Sequence, residues 1–405
     1  MKKLSVLAAS ILMGALAMPA QVQVLKDAER AQKDGKSPQE IVTVITPAMS
    51  DPETAVMAQT YVIPGKAFFA NYDELFALKQ FNKLPEDGNA RMVDDLLQGY
   101  AFMMKALPLD TVTDAKGKVK TKYSKEIVNT LQGHHADYNN GAIAAWELKD
   151  YPKAYDCWET YFRIIENPTL RPKNVPADTT LAELRFNQAL AAWQADSLTQ
   201  ALKAFDKAKA LGYNKKGIYD YAIAVASSLK DDNAVFAWAS EAEPLYGNED
   251  ANYLGFMINH YLQTKDFDKA FSMIDEAIAK NPGNAQYYVV KGILYDNQDN
   301  KAEAKNMFKK ALEVDQYNAM ALMQYGRALC EEAYKLSDTA PTSPAESEKF
   351  YNEQIVPLFR EAAEYLENAW NIDNNNTDAL RYLENVYYNL HDDAKLNDVQ
   401  QRLGK

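Results

Sequence analysis

Two consecutive stretches decide how this chain folds: Ala251–Asn284, ANYLGFMINHYLQTKDFDKAFSMIDEAIAKNPGN, and Ala285–Asn318, AQYYVVKGILYDNQDNKAEAKNMFKKALEVDQYN. Laid one over the other at a shift of 34, Tyr261 falls on Tyr295, Ala270 on Ala304, Ile274 on Phe308 and Ala277 on Ala311. Each stretch reads as an aromatic-rich helix, a turn, and a second helix of pattern Ala-x-x-x-Ile/Phe-x-x-Ala. The turns are Thr264-Lys265-Asp266-Phe267 and Asp299-Asn300-Lys301. Two such helices bury a common face only if small residues sit where the backbones approach, a place Gly292, Ala304 and Ala311 suit. Tyr295 and Phe308 fill the groove that remains, at helical spacing. One hairpin cannot cover its own apolar face, so neighbours must stack.

Read through Tyr288, Gly292, Tyr295, Ala304, Phe308 and Ala311, with Pro282 closing the preceding unit, this pattern resembles the tetratricopeptide repeat, whose period is 34 residues. Weaker copies flank it. Ala201, Phe205 and Ala208 mark a second helix after Leu181–Ala195; Ala154, Trp158 and Tyr161 mark another after Ser124–Leu148. Ala234 and Trp238 mark a degenerate one. Gly65 and Phe68, with Gly99, Met103 and Ala106, form an early unit; Tyr325, Gly326 and Leu329, with Ala362, Leu366 and Ala369, form a late one. The resemblance implies an all-α, right-handed α-solenoid of helix hairpins over residues 52–403, in about eight units. The charge-rich pair 377–403 suits a cap. Residues 21–51 read as an atypical N-terminal helical hairpin, with Ser37-Pro38-Gln39-Glu40 a capping box. Three insertions interrupt the period, at 110–123, 168–180 and 337–349. The first carries Asp114-Ala115-Lys116-Gly117-Lys118, a turn suited to a small β-hairpin. The second holds Pro168, Pro172 and Pro176 and is expected not to be helical. The third is rich in Ser, Thr and Pro and is expected to be mobile.

The chain has 405 residues, 47% hydrophobic and 25% charged, enough apolar mass for a real core. Its formal charge of −12 argues against nucleic acid, which needs clustered Lys and Arg. Met1-Lys2-Lys3, the uncharged run Leu4–Leu16 and small residues to Ala20 have the layout of a signal peptide over residues 1–20. Its removal takes the charge from −12 to −14. No later run approaches 18 apolar residues, so no integral membrane segment is expected. The expected location is the periplasm or exterior of a Gram-negative bacterium.

Signs of chemistry are few. His134 and His135 are adjacent and point about 100° apart on a helix, so they cannot share a metal. No His-Glu-x-x-His, Cys-x-x-Cys, Gly-x-Ser-x-Gly or phosphate-loop string occurs. Asp373, Asn375, Thr377 and Glu384 faintly echo a calcium loop, but Asp378 stands where glycine is needed, so an inter-repeat turn explains them better. Cys157 and Cys330 fall in distant repeats and are expected as free thiols. Asp110-Thr111-Val112, Asp196-Ser197-Leu198 and Asp338-Thr339-Ala340 resemble O-glycosylation acceptors, a pattern short enough to arise by chance. The reading is of a non-enzymatic protein with no catalytic residue, cofactor or metal.

The resemblance also implies a binding surface, concave and lined by the first helix of each repeat. Carried onto this sequence, it selects Ala136, Asn139, Ile143 and Trp146 in one unit, and Glu183, Phe186, Leu190 and Trp193 in another. Trp146 and Trp193 are separated by one 34-residue period plus the 13 residues of 168–180, and so occupy equivalent sites. Asn140, Asn187 and Tyr221 lie alongside, able to hydrogen-bond a peptide backbone. Family members that clamp a C-terminal carboxylate use Lys and Arg here; this groove offers Arg327 alone. The expected ligand is therefore an uncharged or basic peptide or protein. The alternative is an accessory component of outer-membrane nutrient uptake or envelope assembly, binding glycan or a membrane complex.

Overall fold

The computed structural model describes residues 22–113, 117, 119–247, 249–250 and 252–404. The expected export segment 1–20 lies outside the described residues, as does most of the Asp114–Lys118 turn. Among the described residues the fold is all-α apart from one two-residue ladder, and within each unit successive helices pack as hairpins in chain order. It divides into two compact units, residues 1–229 and 230–405, where the sequence reading drew no boundary.

The first unit opens with α1 (22–33) and α2 (Pro38–Ser50). Ser37 caps α2 reciprocally: Glu40 N donates to Ser37 Oγ at 3.3 Å, and Ser37 N donates to Glu40 Oε2 at 2.9 Å. α3 (Ala58–Gln80) and α4 (Gly88–Ala106) then form a long hairpin. Strands β1 (Val112–Thr113) and β2 (Val119–Lys120) pair antiparallel across the first insertion, with Val112 opposite Lys120. The buried Asp110 ties this hairpin to the next helix. Its carboxylate accepts from the backbone N–H of Lys122, Tyr123 and Ser124 at 2.6–3.0 Å and from Ser124 Oγ at 2.7 Å. Burial alone would raise its pKa, but the hydrogen bonds prevail and hold it below the usual range.

After α5 (Ser124–Gly133) come α6 (His135–Glu147) with α7 (Tyr151–Glu166), α8 (Asp178–Gln194) with α9 (Leu198–Ala210), and α10 (Lys216–Ser228). The stretch Ser124–Leu148 is divided at His134 between α5 and α6. Its ring stacks on Phe69 at 4.7 Å and meets Tyr72 edge-on at 5.6 Å, so the chain bends where α3 claims it. Helix α8 begins at Asp178, inside the stretch 168–180 expected to be non-helical, because the last of the three prolines is Pro176.

The second unit contains α11 (Asp232–Tyr246), α12 (Asn252–Gln263), α13 (Phe267–Lys280), α14 (Ala285–Asn297), α15 (Lys301–Val314) and α16 (Ala319–Ser337). It ends with α17 (Pro344–Phe350), α18 (Val356–Ile372), α19 (Thr377–Asn389) and α20 (Asp393–Arg402). The 337–349 stretch is thus not irregular throughout: Pro344 starts α17, and a π-helical turn at Tyr351–Ile355 joins it to α18. Asn376 Oδ1 accepts from Ala379 N at 3.3 Å, so the calcium-like stretch is the start of α19.

One turn recurs between the two helices of a hairpin. Lys149, Asp196, Lys265, Asp299 and His391 have φ of 55–60°. In each case the next N–H returns to the carbonyl five residues back, at 2.8–3.0 Å, as in Asp266 N to Tyr261 O and Asn300 N to Tyr295 O. That next residue also starts the second helix. Asp150, Asp266, Asn300 and Asp392 each cap it through the side chain. One polar residue therefore ends one helix and begins the other, which fixes the hairpin.

Between α3 and α4, Asp95 is 2% exposed and its carboxylate accepts from Asn71 Nδ2 at 2.6 Å. Burial pushes its pKa up from 3.8 to about 6. A raised native pKa means that the folded state holds the proton more tightly, so this group costs stability as pH rises through that window. Asp95→Asn is expected to raise stability at pH 7 by about 1–2 kcal/mol, with a smaller gain at pH 5. Urea denaturation at both pH values checks this; a loss of stability at pH 7 would contradict it.

Candidate partner-binding face

In the first unit, α3, α6, α8 and α10 are the helices to which the resemblance assigns the binding side. Ile143 on α6 is 46% exposed and borders two depressions. One, about 310 Å³, lies between α6, α3 and α4, with Tyr72, Phe76, Met92 and Asn140 among its walls. The other, about 290 Å³, is lined by Ile143, Trp146, Trp158, Asn187 and Leu190 from α6, α7 and α8. Further along, Phe186 stacks on Tyr213 at 4.4 Å and meets Tyr221 at 6.0 Å, while Trp193 meets Tyr221 at 5.3 Å.

Of the seven residues singled out from the sequence, six are placed in two groups. Asn140, Trp146 and Asn187 border the depressions around Ile143. Phe186, Trp193 and Tyr221 form a ring cluster across α8 and α10. Asn139 is engaged by the protein itself: its Oδ1 accepts from Trp158 Nε1 at 2.9 Å. That bond holds Trp158, 3% exposed, as one wall of the second depression. The two tryptophans are both half-buried but not equivalent in surroundings, since Trp146 packs edge-on against Tyr151 at 5.1 Å. Sequence reasoning missed Trp158, Phe76 and Tyr213 as site residues. Trp158 was legible only as a second-helix packing residue, and Tyr213 sits outside any helix, beyond α9.

Arg327 is not alone as the sequence count had it. Arg381 on α19 lines the same depression, about 420 Å³, together with Gln324, Tyr382 and Asn385. Both guanidinium groups already have carboxylates: Arg327 meets Asp296 at 2.7 Å and also Glu331, and Arg381 meets Asp378 at 2.8 Å. Cys157 and Cys330 are free and buried, and burial pushes both thiols up, Cys330 to about 12. Such thiols are neutral at physiological pH and poor nucleophiles. Among the described residues, no group of three or more His, Cys, Asp or Glu side chains is placed to hold a metal ion, and no helix is long and apolar enough to cross a membrane.

Stacked helix hairpins with an open face of aromatic and amide side chains define a helical-repeat protein, a fold that serves as a protein-interaction scaffold. Residues 285–318 match the family model described as "Tetratricopeptide repeat", so that hairpin, α14 with α15, is a tetratricopeptide repeat. No curated relative matches it. Among solved structures it is similar to YrrB, described as a TPR protein with an unusual peptide-binding site, at 17% identity over 52% of this chain and 97% of that one, TM-score 0.33. It is also similar to Pseudomonas aeruginosa pilF, at 13% identity over 56% and 92%, TM-score 0.38. A third is the C-terminal part of a TPR repeat-containing protein from Cytophaga hutchinsonii, at 13% identity over 64% and 92%, TM-score 0.36. Likenesses this loose carry no argument about what this chain binds.

Proposed function

We propose that the protein is exported and acts without catalysis, holding an extended segment of a protein partner along the face of α3, α6, α8 and α10. The observation that carries this reading is the pair of depressions on either side of Ile143, each walled by aromatic side chains with an amide at hand. An extended peptide sends successive side chains to opposite sides and leaves its backbone groups free for Asn140 and Asn187. Trp and Tyr are also the residue types that dominate binding hot spots. A neutral or basic segment fits better than an acidic one. The chain as a whole carries a formal charge of −12, and the arginines that could clamp a carboxylate, Arg327 and Arg381 of the second unit, are already neutralised by their own carboxylates.

Site-specific photo-crosslinking tests the reading. A benzophenone side chain in place of Ile143 is expected to trap a partner in envelope extracts, whereas one in place of Ile372, equally exposed at 45%, is expected to trap none. Adducts of equal yield at both positions would sink the proposal. Export is checked separately by intact mass: protein recovered from the periplasm should lack about 17–20 N-terminal residues.

A further inference from the structure

We propose that the recess between α15 and the second half of α16 is a binding site for a small apolar carboxylate. The recess has a structural origin. Helix α16 runs for 19 residues against 14 for α15, the partner it follows. Its surplus C-terminal turns, with Lys335 and Leu336, and then Thr339, wall a space of about 450 Å³ over the first half of α15. That is within the range of cavities that hold small molecules, which are mostly apolar with a few placed polar groups.

The lining has that character. Ala328 and Leu336, both half-buried, make its apolar floor, laid over the buried Ala304 and Phe308. Around it stand three carboxylates, Asp296, Glu331 and Glu332, and each already has a cation. Lys301 reaches Asp296 at 2.7 Å and Glu331 at 3.6 Å, Lys305 pairs with Glu332, and Arg327 serves Asp296 and Glu331 from behind. Lys335 is the cation of this rim with no carboxylate within ion-pair distance among the described residues. The hydroxyl proton of Thr339 is donated to Leu336 O at 2.8 Å, so it is not on offer to a ligand. An apolar body on the floor with an anionic head at Lys335 complements what is there; a cationic head would meet an unpaired ammonium and carboxylates that are already satisfied.

The site lies within the second unit and is independent of the face around Ile143. Calorimetric titration of the full mature chain with decanoate, below its micelle concentration, is expected to give a dissociation constant of about 0.1–1 mM. Decyltrimethylammonium is expected to bind at least tenfold more weakly. Lys335 is exposed, so Lys335→Glu should keep a cooperative thermal melt while weakening decanoate at least tenfold, and Lys335→Arg should retain it. Ala328→Phe, which fills the recess, should abolish binding, while Ile143→Glu should not affect it. The proposal is overturned if decanoate fails to bind at millimolar concentration, if Lys335→Glu binds it as the parent does, or if the cationic analogue binds equally well.

Discussion

Phe308→Ala is expected to destabilise the second unit by about 3–5 kcal/mol, the usual cost of emptying a buried phenylalanine site. The ring is fully buried among Val289, Ala304, Ala311 and Leu322. It lies directly over Gly292, where an added Cβ would stand 2.4 Å from Phe308 Cε1. Gly292→Ala alone should therefore cost about 1–3 kcal/mol by overpacking, more than the gain of up to about 1 kcal/mol in helix propensity. With Phe308→Ala already in place the clash is gone, and the same Gly292→Ala change should become stabilising. Gly255 on α12 has nothing within 4 Å of its would-be Cβ, so Gly255→Ala should stabilise in either background. Urea denaturation of the four-member cycle reads the reversal of sign. If Gly292→Ala stabilises the parent, the proposed closeness of α14 and α15 is wrong.

Arg185→Ala is the second large effect, also about 3–5 kcal/mol, because it strips the cation from a buried cluster. Arg185 is 1% exposed, with its guanidinium over the Phe162 ring at 3.5 Å. It donates to Gln188 Oε1 at 2.8 Å, pairs with Glu159 at 3.4 Å and also meets Glu166. Its Nε is buried without a partner, a cost the cluster already carries. Burial alone would raise the Glu159 pKa; the Gln188 hydrogen bond and the Arg185 charge bring it below the ordinary value. A depressed native pKa contributes stability above the unfolded value and loses it as pH falls through the native one. The gap between parent and Arg185→Ala should therefore narrow in acid. Glu166, whose side chain is 57% exposed, should matter little: Glu166→Gln is expected to cost under about 1 kcal/mol. Denaturation at pH 7 and at pH 4 checks both statements, and a gap that widens in acid would contradict the second.

The helix-hairpin repeat was legible where local rules agree. In residues 251–318 the small and aromatic positions recur at 34, and Lys265-Asp266 and Asp299-Asn300 supply both the helix stop and the next cap. Elsewhere the decisive partners come from far along the chain. Where α5 gives way to α6, His134 stacks on Phe69 and meets Tyr72 edge-on, both from α3, and nothing near His134 signals those contacts. Asp110 holds the start of α5 across the β-hairpin, a contact that the turn signal for that hairpin does not show. The site was half legible for the same reason. A 34-residue register picks out Asn140, Trp146, Asn187 and Trp193 as positions on first helices. It cannot show that Asn139 is held by Trp158, that Tyr213 reaches back onto Phe186, or that Arg381 joins Arg327.

The central claim, that the face of α3, α6, α8 and α10 holds the partner, is tested most directly by Trp146→Ala combined with Trp193→Ala. Capture of the cross-linked partner should be lost while the helical circular-dichroism spectrum and a cooperative thermal melt are retained. If the double variant still captures the partner, or simply unfolds, the two rings belong to the packing of the hairpins and the claim fails.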